Sequence, residues 1–149
     1  MYLFFSFLYE DILGLFDQDA YAIFELYSDE SVYTILGLLL IMTPLLLWGM
    51  FYFVWKFPYG SLVHWLIWLI ITAILVAIVT WLILNSYETR LDASGALSDL
   101  EAQGIDFKAY LSFLYLKFAC INAALSTVLS TVYSLVMKQS SKVQAHLPI

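Results

Sequence analysis

The sequence predicts an all-α integral membrane protein with three transmembrane helices preceded by an amphipathic N-terminal helix. Three observations predict it. Hydrophobic residues fill 63% of the 149 positions and charged residues 12%, against about half and about a quarter in a soluble domain; the mean hydropathy is +0.88. Three separate stretches are long and uncharged enough to cross a hydrocarbon core of about 30 Å, which takes about 20 residues of helix. All 12 Asp and Glu residues lie outside those stretches. No internal repeat, Gly/Ser linker or low-complexity tract divides the chain, so residues 1–149 read as one membrane domain.

Residues 1–30, "MYLFFSFLYEDILGLFDQDAYAIFELYSDE", lack the basic n-region and small-residue cleavage site of a signal peptide. Wound as a helix, they place Glu10, Asp17, Gln18, Glu25 and Asp29 on one face. Phe5, Ile12, Phe16, Ile23, Leu26 and Tyr27 take the opposite one. This is an interfacial segment, with a break expected at "FDQDA", where Asp17 or Asp19 caps a second piece. Helices that bind anionic lipid are usually basic. An acidic one points to an outer-leaflet surface, or to docking of the aromatic face on a protein partner.

The first span is residues 31–55, "SVYTILGLLLIMTPLLLWGMFYFVW", which carries no charge. Pro44 removes a backbone donor and crowds the preceding turn, so a kink over Leu40 to Pro44 is expected, with Thr43 placed to satisfy the freed groups. The connector "KFPYGS" is short and contains Pro58 and Gly60, which suits a tight turn and makes spans one and two an antiparallel hairpin. The second span is residues 62–85. Its run "LIWLIITAILVAIVTWLIL" is uncharged, and Trp65, Trp68 and Trp81 sit near its ends, where tryptophan is enriched at lipid headgroups. His64 beside Trp65 reads as an interfacial side chain, because a haem held between spans would want a second intramembrane histidine.

Residues 86–109 read as an acidic loop containing a short helix, "ALSDLEAQ". Its acids Asp92, Asp99, Glu101 and Asp106 do not follow an EF-hand pattern and read as a solvated loop. The third span is residues 110–137, followed by a tail over 138–149. Lys117 and Asn122 stand out in it. Between Lys117 and Lys138 lie twenty uncharged residues, the length one span needs, so Lys117 falls at the boundary and its stem can snorkel to the headgroups. Glu30 and Glu88 reach the same boundary and are its candidate carboxylate partners.

Helical phase gives the third span its most informative feature. At about 100° per residue, Ser112, Ala119, Ala123, Ser126, Thr127, Ser130, Thr131 and Ser134 share one broad face, with Asn122 beyond its edge and Lys117 about 110° from its centre. Small residues at spacing four let membrane helices approach closely. Ala119, Ala123, Thr127 and Thr131 form one such row; Asn122, Ser126, Ser130 and Ser134 form its neighbour. The face suits packing on spans one and two of the same chain, where Ala73 and Ala77 offer a smooth patch. It equally suits packing on another subunit, or lining a wet pore.

The inventory contains no nucleophile with a neighbouring base, no phosphate loop, no metal-ligand cluster and no intramembrane acid. The single cysteine, Cys120, excludes an internal disulfide. The expectation is therefore a non-enzymatic, cofactor-free structural or anchoring subunit of a larger membrane complex, assembling through the small face of the third span and the aromatic N-terminal helix. The alternatives are a homo-oligomeric channel lined by Ser126, Ser130 and Ser134, and a membrane immunity or regulatory protein. Expected partners are membrane lipids and either other membrane subunits or further copies of the chain; with a net charge of −6, nucleic acid is not among them. Lys56, Lys138 and Lys142 are concentrated in the tight turn and the tail, whereas Arg90, Lys108 and Lys117 are diluted across the other side. By the positive-inside rule the turn and C-terminus are cytoplasmic and the N-terminus lies outside, in a plasma (inner) membrane.

Overall fold

The computed structural model describes Tyr9 and residues 32–54, 62–94 and 107–140. Helix α1 spans Val32–Gly49 and passes directly into a π-helical segment, Met50–Val54; α2 spans Leu62–Ser94 and α3 spans Phe107–Ser140. Three stretches are long and apolar enough to cross a membrane: Val32–Val54, Leu62–Arg90 and Leu111–Gln139. The chain is an all-helical integral membrane protein. Apart from Tyr9, the amphipathic N-terminal segment, the tight turn and the short loop helix lie outside the described residues, as does Glu30.

Contacts at the two ends establish the direction of each helix. Near one end, Tyr52 after α1, Trp65 at the start of α2 and Ser134 near the end of α3 meet. Near the other, Tyr33 at the start of α1 lies against Phe118 early in α3, while Asn122 reaches Thr80, late in α2. So α1 and α3 run parallel, and α2 runs antiparallel to both. Helix α3 packs most extensively on α2, next on α1, and touches both along its length.

The second and third spans outrun their expected bounds; α3 is helical over Phe107–Ser140, where residues 110–137 were expected. The second span was expected to give way to loop at residue 86, but α2 continues to Ser94. The extension stays helical because its hydroxyls do not compete with the ladder: Ser86 Oγ and Thr89 Oγ1 donate back to the Leu82 and Asn85 carbonyls at 2.8 and 3.1 Å. Gly95 follows in the sequence, the residue type that most often ends a helix. With 33 residues in α2 and 34 in α3, each is about 50 Å long at 1.5 Å per residue and projects beyond a hydrocarbon core of about 30 Å.

Pro44 lies inside α1 and is buried, and helix continues through it to Gly49. The change of winding comes later, in the π segment. Inserting a wider turn there lets consecutive residues face inward, and Phe51 and Tyr52 are both buried.

The outside of the bundle is a belt of Ile, Leu, Val and Met side chains from all three helices. That surface faces lipid, since only the hydrocarbon leaves it no worse off than burial would.

Candidate functional site

The buried side of α3 is a polar row. Asn122, Ser126, Ser130 and Ser134 are all fully or almost fully buried, one turn apart, among apolar neighbours. Buried polar atoms need partners, more so where no water reaches, and the partners divide the row into two ties and a middle.

At the first tie, Trp65 Nε1 donates to Ser134 Oγ at 2.7 Å, and Tyr52 Oη shares a second hydrogen bond of 2.7 Å with the same oxygen. One serine thereby joins all three spans. Around it stands an aromatic box: the Trp48 ring centroid lies 5.4 Å from Phe51, 6.0 Å from Tyr52 and 5.8 Å from Trp65, and Phe51 lies 5.7 Å from Trp68. Trp48, Phe51, Tyr52 and Trp65 form one core cluster, with Tyr133 and Met137 packed against it. Offset and edge-on aromatic pairs of this kind contribute about 0.5 to 1.5 kcal/mol each beyond area burial.

The second tie is Asn122. Its Nδ2 donates to Thr80 Oγ1 at 3.0 Å, and its Oδ1 accepts from the Tyr9 hydroxyl at 2.7 Å. The Tyr9 ring lies 5.8 Å from Tyr33 and 5.5 Å from Phe118. Burial raises the Tyr9 phenol well above its ordinary pKa of 10.0, opposed in part by the Asn122 bond, so the hydroxyl keeps its proton and remains the donor.

Between the ties two hydroxyls bond back to their own helices. Ser126 Oγ donates to the Ala123 carbonyl at 2.8 Å, and on α2 Thr72 Oγ1 donates to Trp68 at 2.8 Å. Ser130 Oγ and Trp48 Nε1 are buried with no hydrogen-bond partner among the described residues.

The structure therefore splits the small face expected on α3. Ala119, Ser126, Ser130 and Ser134 are buried against the chain's own helices, whereas Ser112 is exposed and Ala123, Thr127 and Thr131 are half-buried. Asn122, placed at the edge of that face by phase, is in the centre of the seam. The reason is geometric. At 100° per residue a row at spacing four turns by about 40° per step, so the buried strip from 122 to 134 winds about 120° around α3. A fixed wheel cannot show that, because the side of α3 that meets its neighbours shifts from turn to turn as the helices cross.

Lys117 and Asn122 are separate, as phase implied. Lys117 is half-buried with Nζ 4.6 Å from the Phe113 ring centroid. Phe113 is one turn nearer the start of α3, the direction in which helical side chains lean. Glu88 is half-buried on the extension of α2.

The sequence reading missed Tyr9, Thr80 and the aromatic box. Trp65, expected near the headgroups, is only 8% exposed with its N–H spent on Ser134, so its ring packs within the bundle, whereas Trp81 is 45% exposed. A signal for Thr80 exists: Thr72 and Thr80 are the only hydroxyl residues between Leu66 and Leu84, and an intramembrane Asn wants such a partner. No family model, curated protein or solved structure matches this chain.

Proposed function

We propose that the protein is a non-enzymatic structural or anchoring subunit of a larger membrane assembly, offering the Ala123, Thr127 and Thr131 row of α3 to a partner helix. The observation that carries this reading is the state of that row. Thr127 Oγ1 and Thr131 Oγ1 donate back to the Ala123 and Thr127 carbonyls, both at 2.9 Å, so neither hydroxyl needs a partner, and the row presents a small, half-exposed profile. Close backbone approach is what such a profile permits. A pore lined by Ser126, Ser130 and Ser134 of several copies would first have to draw those buried side chains out of the bundle, so the subunit reading is the better supported.

We place the protein in a plasma (inner) membrane with the N-terminus outside and the C-terminal tail cytoplasmic, on the density of Lys56, Lys138 and Lys142. Cysteines introduced at Ser94 and Ser141, in a Cys120→Ser background, test this by side-selective labelling. The assembly itself is tested by purification in mild detergent with mass analysis of the intact particle. Other polypeptides should co-purify, and Thr127→Leu should release them, because overpacking at a close contact costs about 1 to 3 kcal/mol. Val128→Leu, at a position 63% exposed, should not. A particle of identical copies, insensitive to Thr127→Leu, would reject the reading.

A further inference from the structure

A groove of about 230 Å³ opens on the outside of the bundle where α1 meets α2, lined by Ile35, Leu82, Ile83, Ser86, Tyr87 and Arg90. Its lining changes character along α2. Leu82 and Ile83, with Ile35 across from them, are apolar; two turns on stands Arg90, exposed, with its guanidinium carbon 5.5 Å from the Tyr87 ring centroid. Ser86 has already spent its proton on the Leu82 carbonyl. Among the described residues that line the groove, Arg90 is the one charged donor.

The depth of each part follows from helix rise. Trp65, in the aromatic box near one end of the bundle, and Arg90 are separated by about 37 Å along α2. That exceeds the hydrocarbon thickness by about 7 Å, so Arg90 stands at headgroup level when the box lies at the opposite boundary. Leu82 and Ile83 lie about 10 to 12 Å deeper, at acyl-chain level.

We propose that this groove binds one anionic glycerophospholipid of the bilayer, its phosphate on Arg90 and an acyl chain along Ile35, Leu82 and Ile83. Charge complementarity selects the headgroup, since a guanidinium presents paired donors that match phosphate oxygens. Glu88 does not oppose it: two residues from Arg90, it lies about 200° around the helix and does not line the groove. An irregular protein segment at this depth would bring backbone groups that need satisfying, and the apolar floor offers them nothing, whereas an acyl chain has none.

The test is native mass spectrometry of the full chain in mild detergent, titrated with dioleoyl phosphatidylglycerol or dioleoyl phosphatidylcholine. The wild-type protein should retain the first in preference to the second. Arg90→Gln should lower phosphatidylglycerol retention about fivefold, the worth of one basic side chain against an anionic headgroup, and leave phosphatidylcholine unchanged. Ile35→Trp fills the floor and should reduce retention of both. If Arg90→Gln leaves the preference intact, or Ile35→Trp leaves both adducts unchanged, the proposal is overturned. A shift from dimer to monomer in Ile35→Trp with unchanged lipid adducts would likewise overturn it, assigning the groove to a second copy of the chain.

Discussion

The two ties of α3 solve the same problem with different partners. Ser134 gathers Tyr52 and Trp65, so its oxygen links α1, α2 and α3, and the rings that deliver those bonds also supply the surrounding packing. Asn122 gathers Thr80 and Tyr9, so it links α3 to α2 and to the segment ahead of the first span, and it does not bond α1. The difference teaches that side-chain hydrogen bonds join all three spans at the Ser134 end, whereas at the Asn122 end α1 is held by apolar and ring contacts such as Tyr33 on Phe118. The Asn122 end adds Tyr9 to the bundle.

The largest effect is expected at the aromatic box. Ser134→Leu removes the hydroxyl that accepts from Trp65 and shares a hydrogen bond with Tyr52, and it inserts two more heavy atoms among packed rings. Overpacking alone costs about 1 to 3 kcal/mol, and leaving Trp65 N–H without an acceptor adds to it. Reversible unfolding in mixed micelles should register a loss of about 3 kcal/mol, together with a red shift of tryptophan emission as Trp48 and Trp65 lose their enclosure. A loss below that of Asn122→Ala would invert the ranking of the two ends.

Asn122→Ala should be milder for the spans and specific for the N-terminal segment. Thr80 can turn its hydroxyl back to its own helix, as Thr72 does, so only Tyr9 is left without its acceptor. Intramembrane hydrogen bonds average about 0.6 kcal/mol and reach about 1.7, so the bundle should lose about 1 kcal/mol. Hydrogen exchange at the backbone around residue 9 should accelerate while exchange in α1 changes little. Equal acceleration in both would mean that Asn122 supports α1 after all.

The three spans were legible because their cause is one-dimensional: length and absence of charge are properties of a run of residues, and α1, α2 and α3 follow those runs. The buried polar row was legible in part for the same reason, since spacing four brings Asn122, Ser126, Ser130 and Ser134 near one line. What the row faces was not. Nothing in the run around Trp65 announces Ser134 and Tyr52 as its neighbours, and Tyr9 lies in the acidic, aromatic segment whose lipid or protein partner the sequence left open. Those assignments depend on how α3 rotates against two neighbours. No single helix encodes that.

The smallest expected effect separates the two ends by pH. Tyr9 lies ahead of the spans, and its phenol is held above its ordinary value of 10.0 by burial. A group whose folded pKa is raised contributes fully below its unfolded pKa and loses that contribution as pH rises past it. Docking of the N-terminal segment should thus be flat from about pH 6 to about pH 9, where the phenol is neutral whether docked or free. Above about pH 10 the free phenol ionises while the docked one keeps its proton, and docking weakens by up to about 1.4 kcal/mol per pH unit. Tyr9→Phe keeps the ring contacts with Tyr33 and Phe118 and removes the titration. It should cost about 1 kcal/mol near neutrality and abolish the alkaline loss of protection around residue 9. Subtracting its ultraviolet phenolate titration from that of the wild-type chain should isolate a tyrosine that ionises later than the solvated ones. A difference curve centred near pH 10 would show that Tyr9 is not enclosed, and the Asn122 end would then hold α2 and α3 alone.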